Sequence, residues 1–233
     1  MTKNNILNTV KSLGNKGVRL ICIDFDNTLL SIHTNGRWDG DPIELSNYIR
    51  PVFVKLIRSC VKKNIHVAIV TFSPQENTIR KCLEHYFKDI LHHIHIRTNN
   101  MDNKPNKTFC KLLKKKLVLK RKVPMILSVC NDIYYRTGEI IYPKHTLLID
   151  DDWNNIKTAK KSGCKTYHFS NNGDVKLISD LNTIEHFSKP TTYSFIYADV
   201  CKWIIVVSVI ILLFWRERTT KDMTTRLVTV KVD

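Results

Sequence analysis

The sequence lacks paired cysteines. Its seven, at positions 22, 60, 82, 110, 130, 164 and 201, are odd in number, scattered, and form no C-x-x-C spacing. A disulfide framework is therefore excluded, and cysteines set inside apolar periods read as small core hydrophobes in a reducing compartment. A leader is also missing: residues 1–17 are polar with no apolar centre, so the expectation is a domain that stays in the cytosol. No internal repeat or low-complexity tract interrupts the chain. Acidic residues are scarce, 21 against 37 lysines and arginines, for a net charge of +16. Most of that excess lies before residue 190, in the part expected to fold. Such a field favours anionic partners (phosphorylated ligands, nucleic acid, an acidic lipid surface) without dictating a fold.

At 233 residues, 43% of them hydrophobic and 25% charged, the chain is long enough for one substantial domain plus an appendage. Five short apolar runs alternate with helical periods. They are Val18 to Asp24, Ile65 to Val70, a short one around His92 to Ile96, His145 to Ile149, and Lys165 to Phe169. Between them, Pro51 opens a helix whose Val52, Phe53, Leu56, Ile57, Cys60 and Val61 share a 3.6-residue face. A second helix after Pro74 carries Ile79, Leu83, Tyr86 and Phe87. Helices are also expected over 154–162, closed by Gly163, and over 174–187. The segment 107–119 reads as a basic amphipathic helix, and 124–143 as either a helix or a strand–helix mixture. Residues 1–17 give a tail or a short helix around Ile6, Leu7, Val10 and Leu13. Alternation at this spacing predicts an α/β fold: a Rossmann-like, doubly wound, mostly parallel sheet over 18–190.

The unusual feature is how these strands end. The run Leu20-Ile21-Cys22-Ile23 stops on Asp24-Phe25-Asp26-Asn27-Thr28, and a buried strand has no packing reason to finish on two carboxylates. The run Val67 to Val70 ends on Thr71-Phe72-Ser73, and His145 to Ile149 ends on Asp150-Asp151-Asp152. In an open parallel sheet, ligands bind beyond the carboxyl ends of the strands. Paired carboxylates placed there suit a nucleophile beside a general acid/base, with a cation to relieve their repulsion.

In this order, these residues resemble the four motifs of the haloacid dehalogenase superfamily of phosphohydrolases. Asp24 to Thr28 is similar to the first motif, Thr71 to the second (with Ser73 the other candidate) and Lys104-Pro105 to the third (with Lys107 the other candidate). Asp150-Asp151, followed by Asn155, is similar to the fourth, leaving Asp152 to cap the next helix. The resemblance implies Asp24 as nucleophile and Asp26 as the acid that protonates the leaving oxygen and later activates water. It implies Thr71 and Lys104 as phosphate-binding groups. Mg²⁺ would be held by Asp24, Asp150, Asp151 and the main-chain carbonyl of Asp26. The stretches 29–70 and 72–103 are largely used up by core elements, which implies a member without a cap domain and an open site. The expected function is thus an Mg²⁺-dependent phosphomonoester hydrolase acting on a bulky substrate such as a phosphoprotein. The alternatives are a polynucleotide 3′-phosphatase and a catalytically idle, membrane-tethered binding module.

The basic stretch 111–122 could steer a polyanion, but it contains few aromatics to stack bases, and a solvated helix face is the plainer reading. The histidines at 92, 93 and 95 lack the further ligands of a zinc site and read as ordinary strand residues. Beyond Pro190 the composition changes. After a linker at 191–202 comes Trp203 to Trp215, 13 apolar residues between Lys202 and Arg216/Arg218. It is shorter than the ~20 that usually span a bilayer, yet its terminal tryptophans suit an interface. The expectation is a membrane-associated segment with the domain on the cytosolic face, followed by a tail at 216–233.

Overall fold

The computed structural model describes residues 3–99, 106–113, 119–170 and 173–184. Its centre is the apolar run of the first strand. β1 (Leu20–Ile23) lies between β2 (His66–Val70) and β4 (Thr146–Asp150), with β3 (Ile94–Arg97) and β5 (Lys165–His168) at the edges. The order is β3-β2-β1-β4-β5 and every pairing is parallel. β1 faces His66 to Ile69 on one side and Thr146 to Ile149 on the other. The chain winds outward from β1 through β2 to β3, then returns to β4. The β1/β4 boundary is therefore the switch point, where loops part and leave a crevice.

Side chains alternate along each strand and divide the core in two. Ile21, Ile23, Val67, Ile69, Leu147 and Ile149 face one layer. It is built from α1 (Lys3–Asn15), α3 (Pro51–Lys62), α4 (Glu76–Phe87) and α8 (Gly173–Thr183). Leu20, Cys22, Ala68, Val70 and Leu148 face the other. That layer contains α5 (Lys107–Leu112), α6 (Val123–Thr137) and α7 (Trp153–Lys161), while the short α2 (Pro42–Ser46) sits in the loop after β1. Both sheet faces are covered, which is why the inner strands read as continuous apolar runs.

Two segments left open by the sequence take definite form. Residues 3–15 are a helix whose Ile6, Val10 and Leu13 are buried against α3 and α8, so the folded unit begins well before residue 18. The 124–143 stretch is mainly one helix, α6, closed by Gly138 at φ 75° with its N–H on the Tyr134 carbonyl. Its periodicity is blurred because Met125 to Cys130 are all buried, erasing the polar face that marks a surface helix. The expected strand at His92 shifts: Leu91–His93 form a turn and β3 starts at Ile94. Cys22, Cys60, Cys82 and Cys130 are buried free thiols, and burial pushes that of Cys82 up to about 12. Among the described residues no helix is long and apolar enough to cross a membrane; the segment 203–215 lies outside them.

Two histidines tie this fold to pH. Burial, aided by Arg97, His66 and Arg136 and opposed by Asp132, lowers His95 to about 4. Burial, aided by Lys144 and Arg19 and opposed by Glu139, lowers His145 to about 4. A histidine held neutral in the fold contributes fully above its ordinary value near 6.5, and that contribution is lost as the unfolded state takes up protons below it. The thermal midpoint should therefore fall between about pH 6.5 and 4, and His95→Gln should flatten the decline. An equally steep profile in the variant would remove His95 as a cause.

Candidate active site

At the end of β1 the backbone leaves the sheet through a wide turn. The N–H of Leu29 donates to the Asp24 carbonyl (3.1 Å) and that of Leu30 to the Phe25 carbonyl (2.8 Å). Asn27 takes φ 55° inside this turn, a left-handed conformation that Asn tolerates better than most residues. The turn leaves Asp24 and Asp26 both buried at the strand's mouth. Asp26 Oδ1 accepts the Thr34 N–H at 2.7 Å, which fixes its carboxylate from the following loop. Thr28 donates through its hydroxyl to Asp151 Oδ1 at 3.2 Å, stitching the loop after β1 to the loop after β4.

On β4, Asp150 is fully buried. Its oxygens accept the Asp152 N–H (2.9 Å) and the Asn155 side-chain amide (3.1 and 3.2 Å). Asp152 is the α7 N-cap, accepting the Asn154 N–H at 2.7 Å, so its carboxylate is committed to the helix start. Asp24, Asp150 and Asp151 each present an oxygen, all within 4.8 Å of one another. The Asp26 carboxylate is outside this trio.

Among the described residues, the cation at this cluster is Lys122. Its ammonium contacts Asp24 Oδ1 and lies 2.9 Å from Asp150 Oδ2, and the side chain is only 2% exposed. Burial pushes the Asp24 carboxyl well above the usual carboxylate range and Asp150 adds to the push, while Lys122 opposes it. Burial works against the charge on Lys122, but Asp24 and Asp150 outweigh it and hold the ammonium above its ordinary value. The residue before it, Arg121, takes φ 55° and pairs with Asp152 at 3.5 Å. That left-handed turn, a strained choice for a non-glycine residue, aims the start of α6 at the crevice. Further along α6, Ser128 and Asp132 are gripped by Arg97 from the end of β3.

Sequence reasoning missed Lys122. It sits 98 positions from Asp24, inside a basic run, and its only local signal is a lysine at the start of a helix with Pro124 just beyond. Lys104 lies outside the described residues, as does the Lys107 side chain. On β2, Thr71 and Ser73 are both buried, but their bonding differs. The Ser73 hydroxyl donates to the Gly36 carbonyl at 3.1 Å and accepts the Gln75 N–H at 3.3 Å. Thr71 Oγ1 accepts the Ser73 N–H at 3.1 Å, leaving its O–H proton for another acceptor. In the loop after β1, Arg37 is a surface residue paired to Asp39, whereas Trp38 packs partly against the core.

Three carboxylates with two buried members offer hard oxygen donors only, which suits Mg²⁺. No family model matches the sequence, and no curated protein does. Among solved structures the chain is similar to the N-terminal part of a Bacteroides fragilis protein that contains a phosphatase domain and is complexed with Mg (12% identity, TM-score 0.47). That match covers 78% of this chain but 44% of the other, so the chain spans less than half of that protein. It is also similar to a HAD-superfamily hydrolase from Ehrlichia chaffeensis, at 15% identity and TM-score 0.44, covering 71% and 96% of the two chains. A third is a HAD-family enzyme from Bacteroides thetaiotaomicron complexed with magnesium and inorganic phosphate, at 17% identity and TM-score 0.24, covering 67% and 96%.

Removing the Lys122 ammonium leaves two buried carboxylates facing each other. In a chelator-containing buffer Lys122→Met should destabilise the fold by about 3–5 kcal/mol, the usual cost of breaking a buried ion pair from one side. Urea denaturation reads this directly. A variant as stable as the parent would mean that Asp24 and Asp150 do not depend on this lysine.

Proposed function

We propose that the chain is an Mg²⁺-dependent phosphomonoester hydrolase that works through an aspartyl-phosphate on Asp24. The observation that carries this reading is the buried Lys122 ammonium held against Asp24 and Asp150 at the β1/β4 switch point. A binding module has no use for so costly an arrangement, whereas a site that must draw a phosphoryl dianion onto a carboxylate does.

In this reading an Asp24 oxygen attacks phosphorus as the ester P–O bond breaks, and Asp26 gives its proton to the leaving alcohol oxygen. Asp26, now a carboxylate, takes a proton from water; the hydroxide oxygen bonds to phosphorus, the Asp24–phosphorus bond breaks, and inorganic phosphate leaves. Lys122 neutralises charge on the nucleophile and the phosphoryl oxygens, and the free Thr71 O–H donates to one of them. Mg²⁺, when bound by Asp24, Asp150 and Asp151, supplies the remaining positive charge. Thr28 keeps Asp151 in place, and Asn155 does the same for Asp150.

The loop after β1 carries only the five-residue α2 before α3 begins, which supports a site without a separate lid over that side and hence a bulky ester. In this reading the segment 203–215 is a membrane-associated stretch that would hold the domain on a cytosolic face. Alkaline carbonate should leave the full-length chain in the membrane pellet, and its release would rule out a spanning segment.

The central test is hydrolysis of glycerol phosphate with Mg²⁺, with chelator, and in variants. Turnover should require the cation, Asp24→Asn should reduce it to background, and Asp26→Asn should lower kcat by about 10²–10⁴-fold. Undiminished turnover in Asp24→Asn would sink the covalent mechanism. Lys104→Met belongs beside Lys122→Met: a larger loss in the former would return the charge-neutralising role to Lys104.

A further inference from the structure

Two large aromatic side chains stand exposed on the loops that carry the site. Phe72 directly follows Thr71 and is 40% exposed; Trp153 comes two residues after Asp151 and is 64% exposed. An exposed tryptophan at the first turn of a helix contributes nothing to the core, and neither residue is needed to hold the carboxylates. Both are nonetheless anchored to the machinery. The Phe72 ring lies 5.6 Å from the Lys122 ammonium. Trp153 stacks on the His168 imidazole, with centroids 4.1 Å apart and planes 13° off parallel. His168 Nε2 donates in turn to the Asp151 main-chain carbonyl at 2.8 Å. The stack covers one face of the indole, and its exposure leaves the other open. Arg121, paired with Asp152, which precedes Trp153 in the chain, adds a half-exposed guanidinium.

We infer that Trp153, backed by His168, is a stacking platform for the base next to a terminal phosphate, so that the site takes the phosphorylated end of a single-stranded nucleic acid. This deepens the phosphomonoesterase reading and rests on it. Sequence-tolerant single-strand binding combines a basic surface with aromatic faces on which bases stack. The net charge of +16 provides the first. The aromatic face missing from the basic stretch 111–122 is provided instead by Trp153 at the start of α7. A phosphopeptide would gain from the positive field only if it were acidic, and it carries no flat group at a fixed place beside its phosphate. The ring of a phosphotyrosine is the exception, and the test includes it.

The experiment compares kcat/KM of the full chain on 3′- and 5′-phosphorylated oligonucleotides, on the same oligonucleotides with an abasic terminal nucleotide, and on phosphoserine and phosphotyrosine peptides. The intact oligonucleotide should exceed its abasic counterpart by about tenfold or more, the worth of one stacked base. Trp153→Ala should bring that ratio close to one, acting mainly through KM, while Trp153→Phe should keep part of it. A ratio near one in the parent, or a preference for either phosphopeptide, would overturn the inference. If no ester of any kind is hydrolysed, the phosphatase reading fails and the stacking surface is tested alone. In that case indole fluorescence should still be quenched by the intact oligonucleotide, less by the abasic one, with the difference lost in Trp153→Phe. Equal quenching by both would overturn it.

Discussion

A lysine ammonium sealed between two buried carboxylates is the constraint on which the site depends. Asp24 and Asp150 end adjacent parallel strands, so the sheet itself forces their charges together in a region that water does not screen. Without a cation at that point one of them would have to stay protonated. Lys122 meets the requirement because α6 packs along the sheet with its first residue at the crevice. Arg97 holds that helix through Ser128 and Asp132. The arrangement links the edge strand β3 to the central strand through one side chain.

The sheet was legible because fully buried strands leave short apolar runs in the sequence, and the site's strand ends because carboxylates have no reason to interrupt such runs. Asp24, Asp26, Thr71, Asp150 and Asp151 announce themselves by local contrast. Lys122 does not, since a lysine in a basic run offers none; only the path of α6 across the sheet brings it home. The choice between Thr71 and Ser73 was likewise beyond reach from spacing, since both close the same strand. What separates them is that the Ser73 hydroxyl is engaged by the Gly36 carbonyl and the Gln75 N–H, a tertiary fact. Helix α6 was obscured for the opposite reason to Lys122: too many of its residues are buried to leave a period.

Thr28 has a bond that its place in the motif does not suggest. Its place two residues after Asp26 marks the motif, but its hydroxyl works elsewhere, on Asp151 of the neighbouring strand. With Asn155 on Asp150 and Thr34 on Asp26, each of these acidic groups has a donor that fixes its orientation, and the Thr28 bond alone of the three crosses between strands. Such preorganisation lets the charges be in place before a substrate arrives.

The loop after β1 is bound to the start of α4 more firmly than its length implies. Gln75 accepts the Trp38 N–H and donates to the Trp38 carbonyl, Ser73 reaches Gly36, and the Trp38 ring lies against Gly40, where an added methyl would come within 3.1 Å. The loop and the end of β2 are thus one hydrogen-bonded unit. A displacement of the loop at Trp38 would have to carry Gln75 with it or break both amide bonds, and Ser73, the next strand-end residue after Thr71 and Phe72, would have to follow Gly36.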